Sequence, residues 1–126
     1  MKFVLLAIAA STLGGAGLLA PGNPGQNTTD VSFKEKVMPI LKQNCVGCHS
    51  GDRAAKGLRL DTYDNVMKGA NYGKVIKPGK SAESVLVKSI KGQPGGDRMP
   101  PGRRPMLGDG SVKTITDWID QGAKNN

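Results

Sequence analysis

Apolar positions fall into one continuous run near the start of the chain and, further on, into short stretches at helical spacing. Phe3 to Ala10 follows the charged start Met1-Lys2, whereas Pro21 to Thr29 is polar and rich in Pro and Gly. From Ser32 the spacing becomes helical, with Phe33, Val37, Ile40 and Leu41 on one face. Ser32-Phe33-Lys34-Glu35 reads as a capping box, and Pro39 predicts a kink or a split inside this helix. Gly57 to Asp61 reads as extended, and Thr62 to Lys68 as a brief helix stopped by Gly69. Lys74 to Lys80 ends in a Pro-Gly turn. Ser81 is the expected cap of a helix from Ala82 to Lys91, with Val85, Leu86 and Ile90 on one face and Gly92 as its stop. Residues 93–108 have no period. Asp109 to Gln121 is the last predicted helix, with Val112, Ile115, Trp118 and Ile119 inward and Gly122 after it. The fold class expected is all-α.

The opening run has the charged start and apolar centre of a secretory signal, with Gly14 and Ala16 at cleavage spacing. The expected layout is a signal peptide over residues 1–20, a flexible linker over 21–30 and a folded domain over 31–126. Left uncleaved, the apolar stretch from Phe3 to Ala20 would tether the domain to a membrane. Either way the domain is expected outside the cytoplasm, in the periplasm.

The domain has little apolar material of its own. Hydrophobic residues make up 37% of the chain and only five side chains are aromatic, so a bound apolar cofactor would supply missing core volume. The motif for one is present. Cys45-Val46-Gly47-Cys48-His49 is a C-x-x-C-H run, in which two thiols attach a c-type haem through thioethers and the histidine is its proximal iron ligand. A structural zinc site needs four ligands, but Cys45, Cys48 and His49 are the only cysteines and the only histidine. A thioredoxin-like dithiol needs a strand-helix-strand setting, and a bare disulfide across so short a loop gains little and leaves His49 without a role.

A distal ligand is sought among the methionines. Met99, in Asp97-Arg98-Met99-Pro100-Pro101, lies in a loop stiffened by two prolines; Met106 beside Pro105 is the rival, and an exchangeable sixth position the third option. Met38 and Met67 fall on helical segments and read as core filler, as does Trp118.

The formal charge of +8 comes from 18 basic and 10 acidic residues. Lys74, Lys77, Lys80, Lys88, Lys91, Arg98, Arg103 and Arg104 share the half that contains Met99, which predicts a positive rim steering an acidic redox partner. Nucleic-acid binding is not expected of an exported haem protein with so few aromatics. A peroxidase would need an open iron position and a second acid or base, a sensor an output domain. An anchored subunit of a respiratory or photosynthetic complex is the alternative to a monomeric carrier moving between a reductase and an oxidase or reaction centre.

A helix reaching CVGCH, then GLRLDTY, VIKPGKSAES, RMPP and a closing WIDQGA resembles the single-haem class I cytochrome c fold, and in particular the planctomycete-type cytochrome c domain. The resemblance spans about residues 31 to 123. It implies one haem c on Cys45 and Cys48, His49 and Met99 as axial ligands, crossing first and last helices, and electron transfer without substrate turnover. Leu58 stands where many relatives of this fold have proline, in the segment whose carbonyl accepts the histidine N–H, so a rearranged second-shell bond is expected.

Overall fold

A computed structural model describes residues 29–126, so the expected signal peptide and most of the expected linker lie outside the described residues. Four helices, α1 (Met38–Asn44), α2 (Tyr63–Lys68), α3 (Val85–Ile90) and α4 (Asp109–Asp120), form an all-helical domain with no strand among the described residues. None of these helices is long and apolar enough to cross a membrane.

Ahead of Pro39 the first helix changes type rather than breaking: a π-helical turn, Phe33–Val37, runs directly into α1, with helical backbone at Val37 and Met38. Ser32 caps it through Oγ, which accepts from the Glu35 N–H at 3.1 Å. The same hydroxyl donates to the Asn126 carbonyl at 2.9 Å, and the Asn126 side-chain oxygen accepts from the Phe33 N–H at 2.9 Å. The chain end therefore clasps the first turn.

Helix α4 packs against that turn. Phe33 and Trp118 meet with ring centroids 5.1 Å apart and planes tilted by 38°, and Tyr63 meets Phe33 edge-on at 5.2 Å. Trp118 is core, as expected, and its indole N–H donates to the Lys124 carbonyl at 2.9 Å. The α4 end is closed by two bonds, Gly122 N–H to Ile119 and Ala123 N–H to Trp118, which satisfy carbonyls the helix leaves free.

The third helix departs from its prediction. Ser81 does not cap it; its N–H and hydroxyl both donate to the Asp120 carboxylate at 2.9 Å, tying residues 81–83 to the end of α4. A tertiary acceptor has replaced the local role, and α3 starts only at Val85 after a short 3₁₀ turn. The preceding Pro-Gly turn is as read: Gly79 has φ 78°, and Lys80 N–H bonds the Lys77 carbonyl at 3.0 Å.

Candidate functional site

The end of α1 runs directly into the cysteine motif. Cys45 and Val46 N–H groups bond the Leu41 carbonyl, and Cys48 and His49 N–H groups bond the Cys45 carbonyl at 3.1 and 2.9 Å. This tight turn places both thiols and the histidine on one side. Cys45 and Cys48 are free thiols with no disulfide between them. Burial, and then the neighbouring Cys48, push the Cys45 thiol up to about 11, so it faces its surroundings as a neutral group.

His49 is buried and doubly fixed. Its carbonyl accepts from the Leu60 N–H at 2.8 Å, and its Nδ1 lies 3.2 Å from the Leu58 carbonyl. Paired with that acceptor, Nδ1 carries the proton, which leaves Nε2 as the nitrogen with a lone pair for a metal. The rearrangement anticipated from Leu58 in place of proline is therefore absent. Leu58 is extended at φ −83°, a backbone that leucine adopts as readily as proline, and it presents its carbonyl to the histidine. Gly57 before it sits at φ 67°, and a Cβ there would fall 2.1 Å from Asn71 Oδ1. A side chain there would be strained and would displace Asn71, so glycine suits the closure of this loop on the 70–73 turn.

These residues open onto one apolar cleft, with about 250 Å³ reachable by the centre of a water-sized sphere. Cys45, Cys48 and His49 form one part of its wall, and Met99, Pro100 and Pro101 another. Leu41, Leu60, Val75, Leu86, Ile90, Leu107 and Ile115 complete the apolar lining. Met106 does not line it; its methyl packs beside Gly92 instead. Met38 and Met67 are half-buried against the core, as expected of filler.

The loop bearing Met99 is held from two sides. Its N–H donates to the Ser89 carbonyl of α3 at 3.0 Å, and Gly96 lies so close to Ser89 that no side chain fits between them. Neither is legible as a site residue, Gly96 because residues 93–108 carry no periodic signal and Ser89 because it acts through its backbone carbonyl.

The basic residues divide. Arg104 lines the cleft, and its Nη1 lies 3.9 Å from Cys48 Sγ. Lys56 also lines it and pairs with Asp97, which raises the Lys56 pKa first through that hydrogen bond and then through charge attraction. Lys77 and Lys80 both pair with Glu83, at 3.1 and 3.5 Å, and neither lines the cleft. Arg98 turns back into its own loop. Of the eight basic residues of the expected rim only Arg104 lines the cleft, and Lys56, which lines it too, is not one of the eight.

Two free thiols, an oriented histidine with one open nitrogen and an apolar cleft suit a covalently held haem, and among the described residues no cluster of His, Cys, Asp or Glu could hold a bare metal ion. The family comparison agrees. Residues 45–102 match the family model described as Planctomycete cytochrome C. No curated protein matches the chain. A structure of Kuenenia stuttgartiensis hydrazine synthase is similar at 24% identity and a TM-score of 0.48, over 74% of this chain and 16% of that one. With its CxxCH arrangement at Cys45, Cys48 and His49, the segment 45–102 is similar to the planctomycete-type cytochrome c domain, a family that implies a c-type haem and haem-based electron transfer.

Proposed function

We propose that this protein is an exported, monomeric electron carrier with one haem c attached through Cys45 and Cys48, ligated by His49 and Met99. The observation that carries this reading is the convergence of those four side chains on a single apolar cleft. When bound, the haem supplies one-electron exchange between ferric and ferrous iron. The Leu58 carbonyl fixes the His49 tautomer and raises the basicity of Nε2. A thioether from Met99 favours the reduced metal, and Pro100 and Pro101 limit the entropy lost in holding it. The aliphatic walls exclude water from around both ligands. Cys48 is exposed with Arg104 beside it, so this edge is the port, and its positive charge suits an acidic partner.

Two measurements test the reading. Protein made with the haem-maturation machinery keeps its haem through acid-acetone extraction and weighs one haem more than the bare polypeptide; a bare mass refutes attachment. Met99→Ala abolishes the weak near-infrared band of thioether-ligated ferric haem and lowers the midpoint potential, while Met106→Ala leaves both. The reverse result moves the distal ligand to Met106.

A further inference from the structure

We infer that Arg98 is a positioning residue for Met99, using its guanidinium as the internal scaffold of the loop that carries the sulfur. The inference rests on the reading of Met99 as distal ligand.

Arg98 Nη1 donates to the Pro100 and Gly102 carbonyls at 2.6 Å each, and Nη2 donates to the Arg104 carbonyl at 2.9 Å. One planar cation thus gathers three carbonyls from the seven-residue segment that starts at Arg98 itself. Nothing else among the described residues does this. Apart from the local turn at Gly102-Arg103, no backbone–backbone hydrogen bond involves residues 100–107, and Pro100 and Pro101 have no N–H with which to make one. The Met99 N–H bond to Ser89 anchors the start of the loop, and Arg98 fixes the path that follows. The geometry demands the fork. An ammonium is a compact point donor on a flexible stem and cannot reproduce several directed N–H bonds in one plane.

The consequence is resistance of the sulfur to replacement. An exogenous ligand reaches the iron only when Met99 withdraws, and withdrawal requires this loop to deform. The test uses the full holoprotein: imidazole titration of the ferric form, together with the near-infrared thioether band, in wild type and in Arg98→Ala, Arg98→Lys, Arg103→Ala and Met99→Ala. Arg103 is the control, since it is exposed, stands in the same loop and makes no side-chain hydrogen bond among the described residues. Both Arg98 variants should bind imidazole about tenfold more tightly than wild type, the ratio one charge-assisted hydrogen bond supplies, and should show a weakened band. Arg103→Ala should match wild type in both. If Arg98→Lys matches wild type, charge alone is needed and the scaffold is refuted. If Arg103→Ala equals Arg98→Ala, the effect is general electrostatics and the scaffold is again refuted. A failure of the underlying reading looks different: wild type lacks the band, and Met99→Ala does not raise imidazole affinity. Should Arg98→Ala not accumulate as folded protein, Arg98→Lys still decides the matter.

Discussion

Gly96→Ala tests how the distal loop is seated, because the backbone there allows alanine and only the space does not. A Cβ built at residue 96 falls 2.7 Å from the Ser89 backbone nitrogen, 2.6 Å from Ser89 Oγ and 3.1 Å from Lys88 Cβ. The hydroxyl can rotate away, but the nitrogen belongs to α3 and cannot. Restoring ordinary contact at 3.4 Å or more means lifting the loop by about 0.7 Å. Three residues on, the Met99 N–H to Ser89 carbonyl bond is 3.0 Å long, and the same displacement takes it to the edge of breaking.

Overpacking of this kind costs about 1–3 kcal/mol, and the lost hydrogen bond about 1 more. For a domain of this size each kcal/mol moves the unfolding midpoint by about 4–8 °C, so the melting temperature of the holoprotein should fall by about 10 °C or more. The thioether band should weaken alongside it. Gly110→Ala is the matched control: nothing lies within 4 Å of its Cβ, it sits in α4, and alanine there should hold or raise stability by up to about 1 kcal/mol. A Gly96→Ala protein that melts within about 2 °C of wild type, a shift below what 1 kcal/mol gives, with its band intact, would refute the seating of the loop on α3.

Three further outcomes follow from the same geometry. Arg104→Gln should slow electron exchange with an acidic partner at low salt by about 1.4- to 5-fold, the range of one exposed charge pair, and flatten its salt dependence; stopped-flow kinetics should show no such loss for Lys77→Gln with Lys80→Gln, since Glu83 already engages both. Trp118→Ala removes the ring between Phe33 and the chain end and should cost about 3–5 kcal/mol, read as a collapse of the urea midpoint. The Asp61 carboxyl is held below the usual carboxylate range by the Asn65 amide, then by Arg59, so its contribution is present above that range and disappears as pH falls through the lowered value; the stability gap between wild type and Asp61→Asn, measured by denaturant titration, should therefore close in acid, and a gap constant with pH would refute it.

The parts legible in the sequence are those whose determinants are local. The stripe Val112, Ile115, Trp118 and Ile119 with Gly122 behind it reads as α4, and the structure buries Ile115, Trp118 and Ile119 and half-buries Val112. The cysteine motif reads as a cofactor site because its spacing encodes a single turn. Ser81 looks like a helix cap in the sequence but serves another role, because Asp120, 39 residues away, competes for its donors and no local pattern reports a tertiary acceptor. Arg98 looks like any exposed cation in a basic loop. Its partners are carbonyls, which every sequence has and none displays. The same holds for the clasp of Asn126 on the first turn, in which the Ser32 and Phe33 bonds each pair a side chain with a distant backbone group.

The cleft and the core are built from the same side chains, which ties stability to function in this domain. Leu41, Leu60, Val75, Leu86, Ile90, Leu107 and Ile115 belong to the buried cluster and also line the cleft. Each therefore packs on protein with one face and turns the other toward the space beside His49 and Met99. A chain with five aromatic residues has little to spare for closing such a space from within, and an apolar cofactor fills it at the point where the core is thinnest. Mutations on these walls should move the midpoint potential and the melting temperature together, because the contacts that exclude water from the ligands are the contacts that hold α1, α3 and α4 in place. Surface positions such as Lys77 and Lys80, paired with Glu83 and away from the cleft, should move neither.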